Sequence, residues 1–305
     1  MNKKYLLVID QGTTSTRAII FNNFGEIEHI EKEEITQIYP KPGWVEHDPE
    51  EIFQSVISTI KKSLSKLNLS AKDIFSIGIT NQRETTILFE RKTGKQVSNA
   101  IVWQCRRTSE ICEEIKRIGL QEEIHKKTGL IVDPYFSLTK LIFLLRENEN
   151  IKGKAKRGEI LFGTVDTYLL YRLTNGRSYF TDYSNASRTM MFNINSLSWD
   201  KDILSEFDIP EALLPQVKDS STFFGYVDKE YFGYEIPITA IAGDQQASLF
   251  GELCLEEGMV KNTYGTGCFI LLNTGEKRIF SKEGLLTTIA WGIDGKVSFA
   301  LEGSI

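Results

Sequence analysis

The chain has 305 residues, of which 41% are hydrophobic and 25% charged, and its formal net charge is -5. This length allows about two domains of ~150 residues each, and an acidic chain lacks the basic face that non-specific nucleic-acid binding requires. No apolar run approaches the ~20 residues of a membrane span, and no signal peptide or metal-like cysteine spacing is present. We therefore expect a cytoplasmic protein without a nucleic-acid partner or a membrane span.

Apolar periodicity and turn residues divide the chain into strands that alternate with helices. The predicted strands are Tyr5–Asp10, Arg17–Phe21, Ile27–Thr36, Ile74–Thr80, Thr85–Glu90, Ile101–Trp103 and the apolar runs of EILFG and IPITAIAG. Helices are predicted after the N-cap Asp48 and Pro49, from about Thr108, over Ser137–Glu147, within VDTYLLYRLT and from about Gln245. This alternation predicts an α/β fold, and the hairpin at the start predicts a mixed sheet flanked by helices.

The first hairpin, LLVIDQGTTSTRAIIF, has an unusual number of hydrogen-bond donors at its turn. Backbone N–H groups of a tight turn form an anion-binding concavity, and Arg17 adds a charged donor. Asp10 ends the first strand, where a carboxylate can hold Mg²⁺ through water. A polar hairpin tip has the same composition, so phosphate binding and a plain turn both remain open here. The hydroxyl donors of the turn are Thr13, Thr14, Ser15 and Thr16.

A later segment, VKNTYGTGCFILLN at Val260–Asn273, repeats the order of strand, Gly/Thr turn and strand. The repeat predicts a second domain built on the plan of the first, with domains at residues 1–251 and 252–305. Two such hairpins, one per domain, can clamp a nucleotide between them. A complete second copy needs more residues than remain, so we expect an incomplete second domain and an N-terminal part of a longer protein.

Eight segments together resemble the glycerol kinases of the FGGY carbohydrate kinase family, within the actin-like ATPase superfamily. The segments are DQGTTSTRA, GWVEHDPEEI, TNQRETT, VWQCRRT, DPYFSLTKL, GTVDTYLLYRLT, GDQQASLFGE and NTYGTGCF. The resemblance implies a ribonuclease-H-like core in each of two lobes, of which this chain carries the first lobe and the opening strands of the second. It also implies glycerol and ATP as substrates, Mg²⁺ as the metal, and a homo-oligomer for the full-length protein.

The resemblance also assigns the polyol-binding residues. Arg83 and Glu84 follow an apolar strand, and from the residues alone an exposed ion pair is the favoured interpretation. In glycerol kinases the matching pair binds glycerol hydroxyls, which suits a small triol with little apolar area. Trp103 and Tyr135 are expected to wall the pocket, and Phe269 lines the same cleft or packs in the core.

Asp244 is the expected catalytic residue. It follows an apolar strand and begins a helix, so an ordinary N-cap is the alternative interpretation. The resemblance implies a general base for the attacking hydroxyl, with Gln245 binding a second hydroxyl. The resemblance also implies that Asp10 organises the metal. The phosphate ligands that it implies are Thr13, Thr14, Ser15, Arg17 and Thr266.

Other functions remain open from the sequence: a kinase of another polyol or a ketose sugar, an actin-like ATPase that switches conformation, and a non-catalytic fragment. NQRET and GDQQ favour glycerol among these. The stretch Val227–Pro237 lacks the Gly-rich, Arg-containing loop that binds fructose 1,6-bisphosphate in some glycerol kinases. Glu230 stands where others carry a phosphorylatable His, so we expect neither form of control.

Overall fold

The computed structural model describes residues 4–264 and 268–304, and a large mixed sheet is its main feature. The strands are β1 (Tyr5–Gln11), β2 (Ser15–Asn22), β3 (Ile27–Glu34), β4 (Glu46–His47), β5 (Ile74–Asn81), β6 (Ile87–Glu90), β7 (Ala100–Ile101), β8 (Ile160–Gly163), β9 (Phe180–Asp182), β10 (Phe192–Asn193), β11 (Ser198–Trp199), β12 (Gln216–Lys218), β13 (Ser221–Tyr226), β14 (Pro237–Gly243), β15 (Val260–Tyr264), β16 (Cys268–Gly275), β17 (Leu286–Ile293) and β18 (Lys296–Ser304). The helices are α1 (Pro49–Lys66), α2 (Ser109–Arg117), α3 (Gln121–Thr128), α4 (Ser137–Glu147), α5 (Glu149–Lys156), α6 (Val165–Leu173), α7 (Tyr183–Ala186), α8 (Lys201–Glu206), α9 (Lys229–Phe232) and α10 (Asp244–Gly251).

Among the described residues the sheet has ten strands, in the order β15-β16-β18-β17-β13-β14-β5-β1-β2-β3. β1 and β14 run parallel to β5 on either side of it, whereas β2 is antiparallel to β1. This mixture confirms the mixed α/β sheet predicted from the opening hairpin. The parallel centre places the carboxyl ends of β1, β5 and β14 at one edge.

Helix α1 shows how the sequence pattern positions the core. Asp48 caps the helix by accepting a hydrogen bond from the backbone N–H of Glu50 at 2.9 Å, as predicted from the Asp-Pro pair. The apolar face of α1 packs on β1 and β2 in a buried cluster that includes Ile52, Phe53 and Val56. A second buried cluster lies among α2, α4 and α5.

Most predicted elements are present, and the differences in their ends have local causes. Helix α4 has the predicted limits. The strand predicted from Thr85 begins at Ile87 because Glu84 has a left-handed backbone, with φ of 60°, and the chain turns there. Helix α10 begins one residue before the predicted position, and its N-cap is Gly243 rather than Asp244.

Residues 252–304 contribute β15 to β18 to the same sheet as the preceding strands. β15 and β16 form the antiparallel pair that the sequence repeat predicted. β17 meets β13 through a single ladder pair, Ser221 with Ile293. The division into domains at residue 251 stays a prediction. Within the part of the chain described here, no helix combines the length and apolar character needed to span a membrane.

Candidate active site

The carboxyl ends of three neighbouring parallel strands carry the predicted site residues. Asp10 lies at the end of β1, Arg83 and Glu84 follow β5, and Asp244 follows β14. Because β1 and β14 both pair in parallel with β5, these positions share one edge of the sheet. Ligands of open α/β sheets bind at this edge. The fold therefore brings together residues that are far apart in the sequence.

Arg83 is buried, and each nitrogen of its guanidinium faces an oxygen atom. Nη1 and Nη2 donate to the two carboxylate oxygens of Glu302 at 2.6 and 2.8 Å, a bidentate pair. Nη1 also donates to Oε1 of Gln246 at 3.2 Å, and Nη2 donates to the Tyr135 hydroxyl at 3.4 Å. Nε lies 3.2 Å from Oδ1 of Asp244. A polyol hydroxyl can replace the longer contacts without disturbing the bidentate pair.

Glu84 belongs to a second ion pair in the same buried network. Nε of Arg188 donates to its Oε1 at 2.6 Å, and Nη2 of Arg188 lies 3.2 Å from Oε1 of Glu302. Two arginines and two carboxylates thus balance each other. Burial raises the pKa of Glu302, but the guanidinium groups of Arg188 and Arg83 outweigh it and lower that pKa to about 2. Glu302 is therefore charged at neutral pH.

Asp244 is more accessible than its neighbours, with 36% of its side chain exposed. Its Oδ1 accepts the backbone N–H of Gln245 at 2.7 Å. Partial burial raises the pKa of Asp244 to about 6; Arg83 opposes this shift, and the carboxylates of Glu84 and Glu302 add to it. A carboxylate with a pKa slightly below neutral is ionised at pH 7 and accepts a proton more readily than an ordinary aspartate.

Gln245 is oriented by a buried lysine. Nζ of Lys261 donates to Oε1 of Gln245 at 2.5 Å. Because an ammonium group can only donate, this contact fixes the carbonyl oxygen of the amide toward Lys261. The NH₂ group of Gln245 is then the end that can face a ligand, as a donor to a hydroxyl oxygen.

A cleft of about 670 Å³ borders this network at Tyr135 and Glu302, whereas Arg83, Glu84, Asp244 and Gln245 are not among its lining residues. Trp103, Tyr135, Phe269 and Glu302 are among its lining residues. The Trp103 ring meets Tyr135 and Phe269 edge-on, with centroids 5.5 and 6.3 Å apart. Arg83 and Glu84 are buried behind these residues. The structure thus places Phe269, as well as the two predicted wall residues, around the cleft.

The turn between β1 and β2 is closed by a hydrogen bond from the backbone N–H of Gly12 to the carbonyl oxygen of Ser15 at 2.9 Å. Thr14 is exposed, and the Thr13 hydroxyl accepts the indole N–H of Trp103 at 2.8 Å. The Thr13 contact links the turn between β1 and β2 to Trp103 in the wall of the cleft. Arg17 and Asp10 form an ion pair of 2.8 Å.

The prediction that Thr16 is a hydroxyl donor of the turn is wrong. Thr16 is buried, and its hydroxyl is hydrogen-bonded to Ser55 of α1 at 2.7 Å. As a β2 residue it points toward α1 instead of the ligand side. Ser15 is also buried. The predicted phosphate ligand Thr266 lies outside the described residues.

The sequence model of the N-terminal domain of the FGGY family of carbohydrate kinases matches residues 5–251. The chain belongs to this family. It is 59% identical over 302 residues to a glycerol kinase of Caldanaerobacter subterraneus subsp. tengcongensis, covering 99% of this chain and 61% of that relative. It is also 59% identical over 302 residues to glycerol kinase 2 of Thermotoga maritima, with the same coverage. The chain therefore spans about 61% of the length of these relatives.

Two solved kinase structures share the fold. A structure described as Plasmodium falciparum glycerol kinase with ADP has a TM-score of 0.94 at 40% identity, covering 99% of this chain and 61% of that one. A xylulose kinase from Lactobacillus acidophilus has a TM-score of 0.89 at 22% identity, with coverage of 99% and 60%, and shows the fold alone. The predicted ribonuclease-H-like, actin-like ATPase fold class is confirmed.

The donor chemistry of the turn fits a polyphosphate with its metal ion. Exposed Thr14, the backbone of the turn and Arg17 offer donors for phosphate oxygens, and Asp10 offers a carboxylate at their side. Among residues 4–264 and 268–304, no group of three or more His, Cys, Asp or Glu is arranged to hold a metal ion. A single carboxylate beside phosphate-oxygen donors suits a hydrated cation with phosphate oxygens as further ligands.

Sequence reasoning missed Glu302, Arg188, Gln246 and Lys261 in this FGGY site. All four are buried, and each contacts a predicted site residue. The signal for Glu302 and Arg188 was a charged residue inside the otherwise small or apolar stretches FALEGS and NASRTMMF. Charged side chains are seldom fully buried without a partner.

Proposed function

We propose that this chain carries the polyol and phosphate side of a glycerol kinase site, which transfers a phosphoryl group from ATP to glycerol and gives sn-glycerol 3-phosphate and ADP. The observation that carries the proposal is the contact network in which Arg83 joins Asp244 to Tyr135 and Glu302, two residues that line the cleft. The named relatives at 59% identity support glycerol as the polyol.

The polyol site needs hydrogen-bond donors and acceptors within a small volume, because glycerol has little apolar area to bury. Arg83 and the amide of Gln245 supply donors, whereas Glu84 and Asp244 supply acceptors. Trp103 and Tyr135 cover the carbon chain and exclude water, which otherwise competes as the phosphoryl acceptor. A polyol that satisfies both ends of this arrangement is oriented before the reaction.

Asp244 acts as the general base in the proposed mechanism. Its carboxylate accepts the proton of the terminal hydroxyl as that oxygen attacks the γ-phosphorus in line with the leaving ADP. The terminal phosphorus–oxygen bond to ADP breaks as the new bond forms. Phosphoryl transfer depends mostly on positioning and on neutralisation of charge, so a carboxylate with a pKa near 6 suffices.

Thr13, Thr14, Ser15 and Arg17, together with Thr266, are the proposed phosphate ligands of the site. Asp10 would hold Mg²⁺ through water. When bound, Mg²⁺ neutralises part of the charge on the phosphate oxygens. The Asp10 carboxylate is released for this role when Arg17 turns from it toward a phosphate, since the pair is partly exposed.

The proposal is tested by following transfer of labelled γ-phosphate from Mg·ATP to glycerol, xylulose, gluconate or water. We expect acceptor-dependent label in glycerol 3-phosphate, reduced at least a hundredfold in Asp244→Asn. Transfer to a ketose instead of glycerol would make this chain part of a sugar kinase. Label released as phosphate without an acceptor, and unchanged in Glu84→Ala, would identify an ATPase switch. If the assayed protein also includes a complete second domain, no transfer to any acceptor would contradict kinase activity.

A further inference from the structure

Glu302 has an unusual place for a carboxylate. It lies on β18, between its ladder partners Leu271 of β16 and Leu286 of β17, and only 1% of the residue is exposed. Its two carboxylate oxygens accept hydrogen bonds from the two terminal nitrogens of Arg83. Burying a carboxylate is costly unless it is paired and hydrogen-bonded, so the geometry ties Glu302 to Arg83. The two residues are 219 positions apart in the chain.

Arg188 is the buried ion-pair partner of Glu84. It follows α7, is fully buried, and donates from Nε to Glu84 at 2.6 Å. Its guanidinium lies over the rings of Tyr135 and Phe136, with distances of 5.5 and 5.3 Å to the centroids. Among the described residues, its Nη atoms have no hydrogen-bond partner. The hydrogen bond to Glu84 and the ion pair of Nη2 with Oε1 of Glu302, at 3.2 Å, together orient this side chain.

We propose that Glu302 and Arg188 are positioning residues for polyol recognition: Glu302 holds Arg83 and Arg188 holds Glu84, so that both present one fixed orientation to the cleft. This inference rests on the proposed polyol site. A long guanidinium side chain loses much rotamer freedom on ordering, and a bidentate partner supplies that order before the ligand binds. Preorganisation of this kind raises affinity by removing a cost of binding.

The arrangement also keeps Arg83 from pairing fully with Asp244. Arg83 gives its two terminal nitrogens to Glu302, and only Nε approaches Asp244. Without the Glu302 charge, Arg83 can turn its terminal nitrogens to Asp244. Loss of the carboxylate charge and closer approach of Arg83 both favour the ionised form of Asp244, so the acidic limb of any Asp244-dependent pH profile moves to lower pH.

The test is calorimetric titration of this chain with glycerol, erythritol, xylulose and gluconate. Glu302→Gln preserves the shape of the side chain, and we expect it to weaken binding of the preferred polyol about tenfold to a hundredfold. Arg188→Gln has an effect of the same size, and Arg188→Lys restores part of it. Glu257→Gln, which removes an exposed ion pair with Lys277, is the matched control and binds as the parent chain does.

Two further measurements distinguish a positioning role from a purely structural one. If Glu302 acts through Arg83, the double variant Arg83→Ala/Glu302→Gln binds no more weakly than Arg83→Ala alone. The pH dependence of polyol binding shifts to lower pH in Glu302→Gln. If either single variant fails to fold by circular dichroism, the charge-balanced pair Arg188→Gln/Glu302→Gln is used, with the same expected loss of affinity.

The outcomes distinguish this inference from the proposed function. Glycerol binding that is unchanged in folded Glu302→Gln and Arg188→Gln overturns the inference and leaves the glycerol site in place. Additive effects of Arg83→Ala and Glu302→Gln also overturn it. Binding of a different polyol that depends on Glu302 supports the inference and contradicts glycerol as the substrate. If the chain binds none of the four compounds, both the inference and the proposed function are overturned.

Discussion

At the scale of single residues, the site is a balance of charges around Arg83. Glu302 takes the terminal nitrogens of this guanidinium, and Asp244 receives only a contact of 3.2 Å from Nε. Burial raises the pKa of Asp244 to about 6, and the single contact with Arg83 opposes this shift without cancelling it. A base near neutral pKa costs the folded state stability, a common feature of functional sites.

The first prediction concerns the stability of Asp244→Asn. The pKa of Asp244 is about 6 in the folded chain and ~3.9 for an ordinary aspartate, so the folded state binds the proton more tightly. Stability therefore falls as pH rises from about 4 to about 6. Asp244→Asn should melt a few degrees higher than the parent chain at pH 7 to 8, with the gain lost near pH 4. Melting curves followed by circular dichroism measure this.

Asp202→Asn is the control for Asp244→Asn, because Asp202 is an exposed aspartate that pairs with Lys127. A gain at pH 7 that persists unchanged at pH 4 would show that titration of Asp244 is not its source. A loss of stability at pH 7 would show that the ion pair with Arg83 outweighs burial.

At the scale of elements, the junction of β14 and α10 fixes how closely the backbone approaches Arg83. A Cβ atom at Gly243 would lie 2.7 Å from Cδ of Arg83 and 2.9 Å from Oε1 of Gln246. The backbone itself permits other residues, since Gly243 has φ of -59°. Glycine is therefore needed at this position for the close approach and not for its conformation.

The second prediction follows from this contact. Gly243→Ala should push Arg83 out of its bidentate geometry and weaken polyol binding about tenfold, with a smaller effect on folding. Gly251→Ala is the matched control on the same helix, because nothing lies within 4 Å of a Cβ atom there. Equal polyol affinity for the two variants, measured by calorimetry, would contradict the proposed position of Arg83.

Helix α4 supports the cleft wall through Lys140. Its buried Nζ donates to the backbone carbonyls of Pro134, Tyr135 and Phe136 at 2.8, 2.5 and 3.1 Å. One side chain thus closes the turn that carries Tyr135. Burial lowers the pKa of Lys140 to about 7, although the charge of Glu84 opposes the shift.

The third prediction uses this lysine. An unfolded lysine has a pKa of ~10.4, so between about pH 7 and 10 the unfolded chain holds a proton that the folded chain has released. Because unfolding takes up a proton in this range, the free energy of unfolding rises with pH from about 7 to about 10. Lys140→Met should remove that rise, and it should weaken polyol binding through Tyr135. Lys156→Met, at an exposed position, is the control, and urea unfolding at pH 7, 8 and 9 gives the slopes. Identical slopes for the parent chain and Lys140→Met would contradict the lowered pKa.

At the scale of the whole molecule, the site is built by residues on both sides of position 251. Glu302 reaches Arg83, Lys261 reaches Gln245, and Gln246 reaches the backbone of β17 at Ile289. The ladder between β17 and β13 is a single pair, so these side-chain contacts are an important part of the connection. Polyol recognition is therefore expected to depend on strands β15 to β18.

The sequence distance between contacting residues explains which features could be predicted from the sequence. Local patterns identified the strands, the capped start of α1 and the polar residues that follow β1, β5 and β14, because a strand end is visible in a few neighbouring residues. The partners Arg188 and Glu302 lie 104 and 219 positions from the residues they hold. Apolar periodicity predicts their strands or turns but does not say which buried charges meet. The buried hydroxyl of Thr16 was misjudged for the same reason, since its partner Ser55 lies on α1.

The most direct test of the account is calorimetric titration of this chain with glycerol, beside Glu84→Ala and Asp244→Ala. Circular dichroism confirms that each variant folds, and Glu257→Gln is the control for loss of a distant carboxylate. We expect saturable binding by the parent chain and the control, and no measurable binding by the two site variants. A well-folded parent chain that does not bind glycerol, or site variants that bind it equally well, would contradict a glycerol site formed by these residues.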